Sequence, residues 1–236
     1  MKEQWGIWRI IWFEMSKSFV WFWSILLGFV GLGITFSVWY DPEEVIFVTN
    51  VAMYIYFFVI GAQLFKLGIT YGSTMGSTRH QLYTGVVISA IILAAVGTII
   101  HMVVYYSMGM LTGSLTNGMK ILHILEWLPV EEMIFSVVLF DFVVSLMALG
   151  VSFAFSIVYY RYGGIPFMIL SGIIALSVIF PVGREMFWGE VIYWVMTGGT
   201  LELFGLPIAI AVLAFTAPYL FVTRLNIYLK ENASAK

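Results

Sequence analysis

Asp141 and His101 are the residues whose chemistry stands out, because both fall inside long apolar stretches. Asp141 lies in the run Leu-Phe-Asp-Phe-Val. An acidic group at the centre of a bilayer costs about 2.5 to 3.5 kcal/mol on insertion scales, so Asp141 should face a partner or water and not lipid. His101 lies at a similar inferred depth, and the spacing allows the two side chains to meet. The pair predicts either a substrate contact or proton relay, or a buried contact that fixes helix packing.

Other catalytic chemistry finds little support in the sequence. Glu131 and Glu132 stand beside an apolar stretch, as paired glutamates do in some intramembrane proteases, but the arginine that such sites need does not follow. The zinc-binding spacing His-Glu-x-x-His is absent, and so is the phosphate-binding Gly-x-x-x-x-Gly-Lys loop. We therefore expect no enzyme activity, catalytic residue, metal or cofactor in this chain, and any ATP hydrolysis would belong to a separate subunit.

Composition excludes an ordinary soluble fold. The chain of 236 residues is 61% hydrophobic and 10% charged, whereas soluble domains are about 45 to 50% apolar and about 25% charged. The net charge of −2 and the lack of a basic cluster argue against a nucleic-acid partner. Cysteine is absent, which excludes disulfides and thiolate metal sites.

Six apolar stretches predict an all-α membrane protein with six transmembrane helices in a single domain, residues 1–236. Segments of differing length that are charged or contain Gly and Pro separate them. The predicted spans lie near 19–40, 45–65, 84–110, 134–159, 165–182 and 203–224.

Two further segments carry aromatic residues in patterns typical of the membrane interface. Trp5, Trp8 and Trp12 recur at helical spacing, which predicts an amphipathic interfacial helix over 1–18 that rests on lipid. The alternative is that 1–18 simply extends the first span. Residues 183–202 interleave aromatic and charged residues, which predicts short membrane-dipping helices before the last span or, alternatively, an ordinary surface loop.

Basic residues indicate the orientation. The chain has 11 lysines and arginines, and all but Lys120 and Arg184 fall on the N-terminus, the C-terminus or the loops on their side of the membrane. By the positive-inside rule, both termini should face the cytoplasm. The basic residues on that side are Lys2, Arg9, Lys17, Lys66, Arg79, Arg161, Arg224, Lys230 and Lys236.

The loop between the second and third spans has the features of a docking surface. Glycine allows a tight turn, Ser77 or Thr78 can cap the next helix, and Arg79 can bond acidic or carbonyl groups of a partner. The alternative is that Arg79 is only a positive-inside anchor. The predicted docking residues are Gly76, Ser77, Thr78, Arg79, His80 and Gln81.

This segment resembles permease subunits of the type-two ABC transporter family. Many bacterial members open the third span with Gly-x-(Ser/Thr)-Arg-x-x-(aromatic)-x-x-Gly, which Gly76, Thr78, Arg79 and Gly85 match, whereas Tyr83 stands one place later than the usual aromatic. The run Tyr-Arg-Tyr-Gly at 160–163 is similar to the inner turn after the family's fourth span. The resemblance covers most of the chain in topology, although its motif is short.

The resemblance implies a cell-membrane permease that pairs with a second permease, identical or homologous, above two cytoplasmic ATP-binding subunits. Residues 1–18, 68–82 and 183–202 would correspond to the family's interfacial helix, coupling helix and membrane-dipping helices. The implied function is ATP-driven export of an amphipathic or hydrophobic cargo such as a drug or antimicrobial peptide. Asp141 and His101 leave an ion-gradient-driven transporter open, and a non-transporting scaffold or immunity protein is a third alternative.

Overall fold

A computed structural model describes residues 2–40, 45–74, 78–115, 119–128, 134–180 and 188–222. Helices account for most of these residues, and two short strands and one 3₁₀ turn complete the secondary structure of the described ranges. The elements are α1 (Lys2–Tyr40), β1 (Val45–Val48), α2 (Thr49–Thr74), α3 (Arg79–Leu115), β2 (Met119–Leu122), the 3₁₀ turn (Ile124–Trp127), α4 (Ile134–Tyr162), α5 (Ile165–Ile179), α6 (Gly189–Thr197) and α7 (Thr200–Val222).

Five of the described helices are long and apolar enough to cross a bilayer, which confirms the predicted all-α membrane fold. Their apolar portions contain between 18 and 36 residues, and about 20 residues are needed to span the hydrocarbon core. A helix pairs its own backbone groups, so it can cross lipid without leaving N–H or C=O groups unbonded. The candidate spans are Ile11–Tyr40, Thr49–Gly68, His80–Leu115, Ile134–Tyr162 and Leu203–Leu220.

Large apolar side chains on the outside of the bundle agree with a lipid environment. Trp21 is 70% exposed, Leu32 68% and Met168 74%. Soluble proteins rarely expose contiguous apolar surface on this scale. The chain is therefore a multi-pass membrane protein by both helix length and surface chemistry.

Helix α5 is shorter than the span predicted at 165–182. It contains 15 residues, which amounts to about 22 Å, whereas the hydrocarbon core is about 30 Å thick. Phe180 after it has φ −76° and ψ 131°, the extended conformation expected before a proline, and Pro181 is next in the sequence. Residues 181–187 lie outside the described ranges, so the described part of the chain contains five full-length spans and this shorter apolar helix.

No break in the helix marks the predicted boundary between an interfacial helix (1–18) and the first span, because α1 is one helix of 39 residues. Proline is absent between residues 2 and 40, so no residue type that forces a break interrupts the helix. Ile11, Met15 and Phe19 follow each other at steps of four and are all buried in the main core. The same buried face therefore continues through the predicted boundary; Trp12 is half-buried, and the Trp5 and Trp8 side chains are outside what the structure describes.

Helices α2, α4 and α7 pack closely where glycines remove side-chain bulk. Gly61 on α2 faces the backbone of Leu149 on α4, and Gly150 faces Phe215 on α7. Small residues let helix backbones approach each other, which gives membrane helices much of their packing energy. The core around these contacts includes Phe57 and Phe153.

The two strands form a parallel pair in which Val45 lies opposite Met119 and Val48 opposite Leu122. The second span, predicted to begin at residue 45, therefore begins at Thr49. A short apolar run is compatible with either a strand or the beginning of a helix, and β-branched residues favour the strand. Since α1 leads into β1 and α3 precedes β2, both strands lie at one end of the bundle, which we call the strand end.

A short helix occupies part of the segment predicted to dip into the membrane before the last span. Helix α6 has nine residues, and α7 begins three residues after it ends. Trp188, just before α6, donates its indole N–H to the Ser177 hydroxyl of α5 at 3.0 Å. This bond holds the beginning of α6 against the last part of α5.

Candidate functional site

Asp141 is the centre of a fully buried polar cluster. Its side chain is 0% exposed, and its two oxygens accept hydrogen bonds from three residues. Oδ2 lies 2.6 Å from His101 Nδ1, and Oδ1 lies 2.9 Å from His123 Nε2. The Tyr54 hydroxyl also donates to Oδ1. We call Asp141, His101, His123 and Tyr54 the carboxylate cluster.

Three helices and the segment after β2 bring the carboxylate cluster together. Asp141 lies seven residues into α4, about 10 Å from the beginning of that helix. His101 comes from the antiparallel α3, and Tyr54 from the second turn of α2. His123 follows β2 directly and precedes the 3₁₀ turn. The parallel strand pair therefore lies at the strand end and places His123 next to Asp141 of α4.

His123 has a defined tautomer, which we assign from its hydrogen bonds. The Leu125 N–H donates to Nδ1 at 3.1 Å, so Nδ1 presents a lone pair and the ring proton is on Nε2. Within the described ranges Nε2 has two polar neighbours, Asp141 Oδ1 at 2.9 Å and the Asn50 amide nitrogen at 3.4 Å, and it donates to the nearer one, Asp141. The Glu126 carboxylate accepts the His123 backbone N–H at 2.7 Å, which completes a capping box around the 3₁₀ turn. His123 is consequently neutral in this arrangement.

His101 has more freedom than His123. Its Nδ1 donates to Asp141, whereas its Nε2 lies 3.0 Å from the Thr49 hydroxyl. A hydroxyl can donate or accept. The same geometry therefore accommodates a neutral His101, to which Thr49 donates, or a doubly protonated His101, from which Thr49 accepts.

The carboxylate cluster has a metal-binding composition but not a metal-binding arrangement. Two histidines and a carboxylate can hold Zn²⁺ or Fe²⁺, and the three donor atoms lie within 4.8 Å of one another. A metal on His123 Nε2 would require the ring proton on Nδ1, where the Leu125 N–H already points. Metal-bound histidines normally donate their second N–H to an acceptor. The donor set therefore fits a hydrogen-bonded carboxylate better than a metal centre.

The structure brings the predicted pair His101 and Asp141 into direct contact and adds residues that the sequence did not single out. The sequence does not predict a role for His123, because it lies outside the apolar stretches, between β2 and the 3₁₀ turn, 18 positions from Asp141. Tyr54 and Thr49 were overlooked because hydroxyl-bearing residues are common in apolar helices. The sequence offers one signal for His123: histidine is rare in this chain, which contains only three.

The predicted docking segment lies at the opposite end of α3. Thr78 and Gln81 cap this helix reciprocally: Gln81 N–H donates to Thr78 Oγ1 at 3.3 Å, and Thr78 N–H donates to Gln81 Oε1 at 2.9 Å. His80 is exposed, and its ring packs edge-on against Tyr219 of α7 at 6.1 Å between centroids. Gly76 and Ser77 are outside the described ranges, and Arg79 is described only as the first residue of α3.

An apolar groove of about 720 Å³ runs between α2, α4 and α5. Aromatic rings form most of its wall, and Phe155 contacts both Phe58 and Phe167 edge-on. Lys66 brings one cationic group to it, about 26 Å along α2 from Thr49 and hence away from the strand end. The groove thus combines an apolar wall with a charge near one end.

These features define a multi-pass α-helical membrane protein with a buried carboxylate cluster near one end and a capped helix start at the other. Comparisons of the chain with models of known families, with curated proteins and with solved structures find no match. Any functional interpretation therefore depends on the residues themselves.

Proposed function

We propose that this chain is the permease subunit of an ATP-driven exporter in the cell membrane and works with a separate cytoplasmic ATPase. The observation that carries the proposal is the 76–85 segment, where the family-like motif coincides with the capped beginning of α3. The capping box orders the turn that contains Arg79 and His80. In the orientation predicted from basic residues, with both termini cytoplasmic, this turn faces the ATPase.

Helix α3 supplies a mechanical connection for such a partner. It runs without interruption from Arg79 to Leu115, so Arg79 and His101 are about 33 Å apart on one helix. A displacement of the helix start by ATP-driven movement of the partner would therefore reach the buried part of the bundle. Two ATPase subunits and a second permease, identical or homologous, complete the proposed assembly.

The groove between α2, α4 and α5 supports an amphipathic or hydrophobic cargo. Its wall is aromatic and apolar, and Lys66 supplies a polar group at one end. Small-molecule sites are typically concave, apolar and equipped with a few polar groups. A drug-like molecule or an amphipathic peptide matches this description.

Coupling to the ATPase is tested by co-expressing the chain with a candidate soluble ATPase subunit and purifying the complex from detergent. We expect Arg79→Glu to reduce the retained ATPase by at least about tenfold, or about 1.4 kcal/mol, because an acid would replace the cation that contacts the partner. Arg9→Glu is the matched control, since Arg9 is an exposed basic residue on α1. Full ATPase binding and stimulation in Arg79→Glu would remove Arg79 from the docking surface.

A second candidate is transport driven by an ion gradient, which the carboxylate cluster favours. Ionisable residues inside membrane segments mark ion pathways in many transporters. The two candidates separate in vesicles containing the purified chain alone: cargo movement that follows an imposed ion gradient without any ATPase would favour the second.

A further inference from the structure

The carboxylate cluster holds an acidic side chain in a buried, apolar environment, where an unbalanced charge is unfavourable. Asp141 and His101 are both 0% exposed, and both lie within apolar helices that are long enough to span the membrane. A lone carboxylate there is unfavourable unless a cation offsets it. The titratable groups that bond to Asp141 in the described structure are His101, His123 and Tyr54.

Hydrogen-bond directions single out one of these groups as the place for an additional proton. His123 cannot accept one on Nδ1 without opposing the Leu125 N–H. Tyr54 already donates its only proton to Asp141. His101 can accept one on Nε2, because the Thr49 hydroxyl then turns and accepts the new N–H.

We propose that the carboxylate cluster is a proton-binding site in which the proton resides on His101. The imidazolium donates from Nδ1 to Asp141 Oδ2 and from Nε2 to Thr49 Oγ1, so the pair carries no net charge. When the proton leaves for water, Nε2 regains its lone pair and Thr49 donates to it. Release breaks the Nε2–H bond and forms an O–H bond on water, and proton uptake reverses this step.

Among the described residues, Asp141 is the acidic side chain in direct contact with His101, and the Glu126 carboxylate lies one contact further away. The Trp23 ring of α1 lies 6.4 Å away and is uncharged. Tyr105, on the same helix as His101, stacks at 6.4 Å and donates its hydroxyl to Glu126 at 2.9 Å. The described groups that face His101 are Trp23 from α1, Thr49 from α2, His123 from the segment after β2, Tyr105 from α3 and Asp141 from α4, with Asn50, Tyr54 and Glu126 one contact further away.

Unbonded polar atoms just below the cluster provide a second, independent observation. Thr98 precedes His101 by three residues and Ser145 follows Asp141 by four, so each lies on the same helix face as its neighbour and one turn deeper. Both hydroxyls, and the Trp23 indole N–H, are buried without a hydrogen-bond partner. Buried polar groups of this kind are commonly satisfied by internal water. Water held there would deliver the proton to His101 and remove it.

The proposal is tested by ¹⁵N NMR of the full chain, labelled at histidine and held in lipid nanodiscs at neutral pH. His80→Gln removes the exposed histidine and assigns its signals. We expect His101 to show two protonated nitrogens, the signature of imidazolium, and His123 to show one proton, on Nε2. A neutral His101 or a doubly protonated His123 in the unmodified chain would overturn the proposal.

Two variants separate proton binding from simple packing. Asp141→Asn preserves shape but removes the negative charge, so the imidazolium signature of His101 should disappear at the same pH. If that variant does not fold, Thr49→Val removes the Nε2 partner, and the imidazolium fraction of His101 should fall because a charge-assisted bond is lost. Thr35→Val, an exposed position on α1, should change nothing. An unchanged imidazolium in the variant that folds would contradict the proposal.

The same spectra distinguish a proton from a metal ion. Treatment with a strong chelator followed by addition of Zn²⁺ should leave the His101 and His123 signals in place, because the Leu125 N–H blocks the tautomer that a metal needs on His123. Chelator-dependent signals from both histidines would show a metal centre and overturn the inference.

Discussion

Gly61 lies directly against the backbone of Leu149 where α2 crosses α4. A Cβ atom at position 61 would approach the Leu149 Cα to 3.0 Å and its carbonyl oxygen more closely still. The obstructing atoms are backbone, so no side-chain rotation relieves the contact. The glycine thus sets the distance between the two helices that hold Tyr54 and Asp141.

We expect Gly61→Ala to destabilise the bundle by about 1 to 3 kcal/mol, the usual cost of overpacking. Gly28→Ala is the control, since nothing lies within 4 Å of a Cβ at that α1 position, and alanine should be neutral or favourable by about 0.5 to 1 kcal/mol. The measurement is reversible unfolding in mixed detergent. Equal stability of the two variants would show that α2 and α4 can separate freely.

Removal of the Asp141 carboxylate should destabilise the protein according to how many donors lose their acceptor. Asp141→Leu leaves the His101, His123 and Tyr54 donors unbonded, and breaking a buried charged pair costs about 3 to 5 kcal/mol. Asp141→Asn retains one acceptor oxygen and should cost less. Thermal unfolding in detergent measures both; a leucine variant as stable as the unmodified protein would show that the donors find other partners.

His123 makes two separable contacts: it caps the 3₁₀ turn, and it bonds to Asp141. His123→Asn retains a side-chain acceptor suitable for capping the 3₁₀ turn but is too short to maintain the bond to Asp141 from the same backbone position. We expect His123→Ala to be less stable than His123→Asn by about 0.5 to 2 kcal/mol, the range of capping contributions. Hydrogen exchange at the Leu125 amide reports the cap directly, and equal exchange in the two variants would contradict the capping role.

The Thr78 cap should determine the order of the first turn of α3. Thr78→Ala removes the Oγ1 that accepts from Gln81 and should cost about 1 kcal/mol locally, whereas Thr78→Ser retains it. Hydrogen exchange over residues 78–84 is the measurement. Thr84→Ala is the control, because its hydroxyl bonds only to the His80 carbonyl within the helix. Faster exchange in the control than in Thr78→Ala would contradict the assignment of the cap.

The predicted orientation is tested cleanly because the chain contains no cysteine. We expect Lys120→Cys, exposed on β2, to react with an impermeant thiol reagent added to intact cells. His80→Cys, exposed near the start of α3, should react only after the membrane is permeabilised. The reverse pattern would place the docking segment outside the cell and remove the basis for the proposed ATPase partnership.

The helical membrane fold could be predicted from the sequence because long apolar runs have few structural solutions in lipid. The contact between His101 and Asp141 could be anticipated for a similar reason, since polar groups within such runs need partners. His123 could not, because its position depends on the pairing of β1 with β2, and those strands come from segments about 70 positions apart. Long-range pairing of two four-residue runs leaves no periodic signal.

The continuity of α1 through residue 18 could not be predicted for a different reason. Amphipathic spacing over the first 18 residues predicts an interfacial helix, but a helix whose apolar face packs on protein produces the same spacing. Ile11 and Met15 are buried in the main core. Periodicity identifies the buried face of a helix and not the material that covers it.

The order of the cluster residues along the chain affects how the protein enters the bilayer during synthesis. Thr49, Tyr54, His101 and His123 all precede Asp141, and chains are made and delivered from the N-terminus. The side chains that bond to Asp141 therefore reach the membrane before the acid does. We therefore expect α4 to meet these partners as it enters the bilayer, which would shorten the exposure of its carboxylate to lipid.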